Sequence, residues 1–120
     1  AAVDLDGRWR VQQIAGASLG EGVVIWLQID PRAGEVSGFT GCRDFTTSLA
    51  AYGDATTFGP VQVGVGECAS NAAATDEERF LLVLPAVERR ILRGRSLELL
   101  QAAPGSETLI RLRREDADAG

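Results

Sequence analysis

The run from Val23 to Ile29 constrains the fold more than any other stretch of the chain. In an extended backbone Val23, Ile25, Leu27 and Ile29 fall on one side, and Val24, Trp26 and Gln28 on the other. The same period of two recurs along the chain. It is carried by Trp9 and Val11 within Arg8 to Gln13, by Glu35 to Thr40, by Phe45, Thr47, Leu49 and Ala51, and by Val61, Val63 and Val65. Arg89 to Arg93, Ser96 to Gln101 and Thr108 to Arg113 continue it. Turn chemistry separates these runs at Asp30-Pro31-Arg32-Ala33-Gly34, Gly53-Asp54, Gly94-Arg95 and Ala103-Pro104-Gly105-Ser106. Loops of small residues fill Ala15 to Gly22 and Cys68 to Ala74. The pattern predicts an α+β fold that is mostly β: a small curled antiparallel sheet or partly open barrel with one inserted helix. Curling is one way for such a sheet to protect its edges.

The inserted helix announces itself at Thr75-Asp76-Glu77-Glu78, which has the form of a capping box. This predicts a start near Thr75, with Asp76, Glu77 and Glu78 serving the cap and the helix dipole. Phe80, Leu81, Leu84 and Val87 share one helical face and are candidates for the core. Pro85 disfavours helical geometry at Leu84, so the helix is expected to end or kink there.

With 120 residues the chain is expected to form one domain over 1–114, with 115–120 a frayed charged tail. A net charge of −5 does not favour a nucleic-acid partner. No apolar run approaches the roughly 18 residues needed to cross a bilayer. The chain contains no His and no Lys, which removes the usual proton shuttle, the phosphate-loop lysine and the Schiff-base lysine. Catalytic residues, cofactors and metal ligands are therefore not expected, and the chain is read as no enzyme. Gly64-Val65-Gly66-Glu67-Cys68-Ala69 fits the G-x-G-x-x-A dinucleotide pattern, but Ser70 to Ala74 separates it from the capping box and the surroundings are antiparallel in style. Its glycines are read as turn and strand-end residues.

Three further features carry alternatives. Cys42 and Cys68 each follow a strand-like run, and spacing alone does not choose between a structural disulfide and two unpaired thiols. Arg93, Arg95, Arg111 and Arg113 could form a basic stripe for an anionic partner, an envelope protein or an anionic lipid, or simply a solvated face. Trp9 and Trp26 are expected to pack the core. The Gly7-Arg8-Trp9 start is also similar to that of lipocalin-like barrels, which leaves an apolar-ligand cavity as the second reading.

Leu5-Asp6-Gly7-Arg8-Trp9 resembles the "L-x-G-x-W" opening of META/HslJ-like domains, a bacterial heat-shock-associated group that is often lipoprotein-borne. Val36-Ser37-Gly38 with Gly41-Cys42 resembles that family's "v-x-G-x-x-G-C-N" signature, with Arg43 in place of the asparagine. Cys68 falls where the family has its second cysteine, although Gly64 to Glu67 replace the "T-R-M-A" before it. Phe80, Leu81, Leu84 and Val87 match its helix, and Gly94 to Leu99 its "G-x-x-L-x-L" strand. The motif residues are thus Gly7, Trp9, Gly38, Gly41, Cys42 and Cys68. The resemblance implies a Cys42–Cys68 disulfide, with Gly41 at positive φ turning Cys42 toward the Cys68 loop. It also implies a periplasmic or extracytoplasmic location, with lipid anchoring through a residue outside this chain as one form of it. The start at Ala1 without Met fits removal of a signal peptide as well as an arbitrary boundary. The implied role is a stress-associated, non-catalytic interaction or structural domain, monomeric; a carrier of a small apolar ligand or lipid is the alternative.

Overall fold

Antiparallel pairing of the first long strand with the last closes the sheet on itself. In the computed structural model, which describes residues 5–52, 55–101 and 107–115, β1 (Gly7–Ile14) lies beside β10 (Thr108–Arg114). The ring between them runs through β3 (Trp26–Asp30), β4 (Glu35–Phe39), β5 (Asp44–Tyr52), β6 (Ala55–Phe58), β8 (Arg89–Arg93) and β9 (Ser96–Leu100). Two short strands lie outside it: β2 (Ala17–Ser18) pairs β1, and β7 (Gln62–Val63) pairs β5. The result is a closed eight-stranded antiparallel barrel, more complete than the partly open form expected. Closure removes the sheet edges that an open form would leave. The thinnest seam joins β6 to β8 through Ala55 opposite Arg89 and the Thr56 amide on the Glu88 carbonyl. The turns expected at Gly53-Asp54 and Ala103 to Ser106, and the tail beyond Glu115, lie outside the described residues.

Alternation places the core as expected. Val23, Ile25, Leu27 and Ile29 are all buried, as are Trp9, Val11, Phe45, Leu97, Leu99 and Leu112. The Trp9 indole donates to the Leu5 carbonyl at 2.9 Å, which satisfies its one buried polar atom. Trp26 departs from the expectation: it points out of the barrel, is only half-buried, and lies under the Arg8 guanidinium at 4.1 Å. The opposite phase of its strand face explains this, because Leu27 takes the inward position. The Val61–Val65 run is also shorter than its pattern promised. Only Gln62–Val63 pairs, and Val65 is fully exposed.

The helix α1 spans Asn71–Val83 and starts four residues before Thr75. Ser70 is its N-cap, and its hydroxyl accepts from the Ala73 amide at 3.1 Å. The Ala72-Ala73-Ala74 run has the highest helix propensity available, so the chain enters the helix as soon as a capping side chain allows. The α-helix ends at Val83, as Pro85 requires, and passes into a 3-10 turn over Leu84–Ala86, with Leu84 itself still in the right-handed region. Phe80, Leu84 and Val87 are buried, and Leu81 is only partly so. Phe80 meets Phe45 edge-on with ring centroids 5.5 Å apart, which fixes the helix against the barrel.

Candidate functional site

Two neighbourhoods gather the side chains capable of recognition or chemistry. The first forms where β4 leaves the barrel. Gly38 must be glycine, because a Cβ there would lie 2.1 Å from the Trp26 carbonyl oxygen. Gly41 adopts φ +100°, a conformation that L side chains rarely tolerate. The turn it makes delivers Cys42 to Cys68, and the two are joined in a disulfide across 26 residues.

Beside the disulfide lies a closed polar cluster. Glu77 on α1 is 5% exposed, and its carboxylate takes Arg43 Nη2 at 2.6 Å and Nε at 3.1 Å. The Thr40 hydroxyl donates to the same carboxylate at 2.5 Å and accepts from the Cys42 and Arg43 amides. The hydrogen bonds from Arg43 hold the Glu77 carboxyl below the usual carboxylate range, against the desolvation that would raise it. The same pair makes the Arg43 guanidinium still harder to deprotonate. One helical position earlier, Asp76 is also buried and accepts the Gly20 amide at 2.7 Å. Arg79 bonds Asp76 at 3.4 Å and the Ile14 carbonyl, which ties α1 to β1.

These contacts correct the assignment of Asp76 and Glu77 to helix capping. Both point into the protein and anchor the helix to the β4–β5 and β2–β3 connections. The signal available in sequence was Arg43 itself, the residue that departs from the family asparagine; its partner could not be named without the fold. Among the described residues, Cys42, Cys68 and Glu77 bring two sulfurs and a carboxylate oxygen within 4.8 Å of one another, but both sulfurs are occupied by the disulfide. The G-x-G-x-x-A stretch ends only one residue short of the Ser70 cap, closer to the helix than expected. The strand before it nevertheless pairs antiparallel with β5, which is not the parallel setting of a dinucleotide site.

The second neighbourhood is the outer face of β8, β9, β10 and β1. Arg93 and Arg113 are exposed there, each opposite Ser96 of β9. Arg95 is exposed in the β8–β9 turn, its carbonyl accepting the Arg114 amide. Arg111 is drawn out of the expected stripe by Glu98, its cross-strand neighbour, at 3.7 Å. Arg10 of β1, which the sequence reading left out, stands directly opposite Arg113. Further round the barrel an open groove of ≈ 730 Å³ overlies β3, β4 and β5 and is lined by Gln28, Ser37, Thr46, Ser48 and Gln62 among others. It lies outside the barrel. The interior is occupied by side chains, with Trp9, Phe45, Phe80, Ile14, Ile25, Leu84 and Ile110 each less than 2% exposed or at that limit.

The described residues thus form a closed antiparallel barrel with one inserted α-helix, clamped by a Cys42–Cys68 disulfide that follows the Gly41 turn. The META domain family matches residues 2–116, and the chain belongs to that family. A solution structure of a protein from Burkholderia xenovorans is similar at TM-score 0.72 and 21% identity, covering 95% of this chain and 86% of that one. A second solution structure of a protein is similar at TM-score 0.66 and 14% identity, covering 90% and 88%. At those identities the likeness establishes the fold alone. No curated protein matches the chain.

Proposed function

We propose that this META domain is a non-catalytic interaction domain of a bacterial envelope, presenting its outer surface to a partner while its interior serves stability. The filled barrel carries this reading. Its inward positions are packed with apolar side chains, and its buried carboxylates, Asp76 and Glu77, are both engaged by backbone amide, hydroxyl or arginine groups. Among the described residues no buried side-chain nitrogen or oxygen lacks a hydrogen-bond partner. The disulfide fits an oxidising compartment. No described helix is long and apolar enough to cross a membrane.

The carrier reading draws on the barrel architecture, which lipid carriers share, but it needs a lumen that these side chains take up. Native mass spectrometry of the protein isolated from its own envelope separates the two. The bare polypeptide mass is expected, and a retained acyl-chain ligand would overturn the interaction reading in favour of a carrier.

A further inference from the structure

Directly opposed like charges weaken a sheet, and the outer face of this barrel carries such a pair, Arg10 on β1 facing Arg113 on β10. Both are exposed. The register extends the row on either side. Arg10 also opposes Trp26, and Trp26 opposes Phe39. Arg113 opposes Ser96, and Ser96 opposes the exposed Arg93. A single line across β4, β3, β1, β10, β9 and β8 therefore holds Phe39, Trp26, Arg10, Arg113, Ser96 and Arg93. Arg8 joins it from the side, stacked on the Trp26 ring. Because the barrel is closed, the row curves with its wall, and the part that meets one plane is Trp26, Arg10 and Arg113 on the adjacent strands β3, β1 and β10, two strand spacings or ~10 Å across, with Phe39 and Arg93 flanking it. The neighbouring carboxylates lie off the line of Arg10, Arg113 and Arg93, and Glu115 is the one that reaches a member of the group, at Arg8. Glu98 is held by Arg111 in the next row, Asp44 lies beyond Phe39, and Glu115 follows β10 next to Arg8.

We propose that this row docks the domain on an anionic membrane surface, with phosphate-bearing lipid headgroups as the ligand. The inference rests on the interaction-domain reading above and names its partner. Guanidinium groups suit phosphate because their planar fork donates two parallel hydrogen bonds. Half-buried Trp26 and Phe39 at one end of the row supply the aromatic rings that settle at the boundary between headgroups and acyl chains. The net charge of −5 means that the molecule as a whole is repelled by an anionic surface. Only a face that concentrates arginine can dock, so the row also fixes orientation. An acidic protein would satisfy the charges but leaves the aromatic end without a role.

The test is flotation of the protein with phosphatidylcholine vesicles containing about one third phosphatidylglycerol, against phosphatidylcholine alone, at low and high salt. Partitioning to the anionic vesicles alone, lost at high salt, is expected, with a blue shift in Trp26 emission that Trp26→Phe removes. Arg10→Glu and Arg113→Glu should each lower the partition coefficient ~10-fold or more, since one basic side chain near such a surface contributes about 5-fold and reversal exceeds removal. Arg32→Glu, the same charge change in the β3–β4 turn, should have less than half that effect on the logarithmic scale. If a reversal disturbs folding, the Arg10→Gln/Arg113→Gln pair makes the same test without introducing an acid. Undiminished flotation of the variants, equal binding to neutral vesicles, no binding at all, or capture by polyglutamate in place of vesicles would each overturn the proposal. Vesicle failure together with a bare native mass would remove the lipid partner and leave the interaction domain standing.

Discussion

Arg43 grips Glu77 across 34 residues of sequence, joining the turn after β4 to the middle of α1 with two hydrogen bonds to one carboxylate. The pair is asymmetric, with the Glu77 side chain 7% exposed and that of Arg43 36%. Removing the arginine therefore leaves a nearly buried carboxylate with Thr40 as its remaining side-chain donor. Arg43→Ala is expected to lower the urea midpoint, by less than the loss of a deeply buried pair would, because Arg43 keeps contact with water. Arg43→Asn, which restores the family residue, should recover part of that loss by donating one hydrogen bond. An unchanged urea midpoint for Arg43→Ala would show that the pair contributes nothing net.

The same contact sets a pH dependence. Hydrogen bonding to Arg43 lowers the Glu77 pKa in the folded state relative to the unfolded chain, so the folded protein holds fewer protons there. The stability this contributes is fully present above the unfolded value, about 4.3. It is lost as pH falls through the folded value. Stability of the wild type relative to Glu77→Gln should accordingly be constant near neutrality and shrink in acid. A difference that grows as pH falls would mean that burial, not Arg43, governs this carboxyl group.

The Cys42–Cys68 disulfide closes a loop that contains β5, β6 and β7. Thiol titration of unreduced, denatured protein should find no free thiol. Cys42→Ser/Cys68→Ser should lose ~3–4 kcal/mol in the chain-entropy model. Two titratable thiols in protein taken from an oxidising compartment would contradict the bond, and an unchanged melting temperature would show that it carries no stability.

The helix start offers a sharper test, because two candidate caps compete for it. With Ser70 accepting the Ala73 amide, Ser70→Ala should cost ~0.5–2 kcal/mol. Thr75 is exposed inside α1, and Thr75→Ala should be neutral or slightly stabilising, since alanine is the better helix former. The reverse ranking in thermal melts would restore the start at Thr75.

That competition shows where the sequence was legible and where it was not. Period-two alternation gave the inward faces of β1, β3 and β5, because burial on one side of a strand is a local property. Gly41 at positive φ and its role in aiming Cys42 followed from the family motif. Thr75-Asp76-Glu77-Glu78 misled because a capping box and a buried acidic pair are written with the same letters. Only the approach of Arg43 and Gly20 from distant parts of the chain distinguishes them. Arg10 was invisible for a similar reason. Its neighbour Arg113 lies at the other end of the chain and becomes a neighbour only when the barrel closes.

Phe80 tests the packing that closure makes. It is fully buried, it meets Phe45 of β5, and it sits one helical turn from Asp76 and Leu84. Truncation removes a large apolar side chain and its edge-on ring contact, and the rigid barrel wall cannot collapse to fill the space. Phe80→Ala is expected to cost ~3–5 kcal/mol in denaturant melts, with Phe80→Leu far milder because most of the volume stays. Leu82, on the opposite side of α1 and 75% exposed, is the control, and Leu82→Ala should change stability by less than ~0.5 kcal/mol. Similar losses for Phe80→Ala and Leu82→Ala would mean that α1 does not dock on the barrel through this face. The polar contacts of Glu77 with Arg43, of Asp76 with Gly20 and of Arg79 with Ile14 would then be left to hold it.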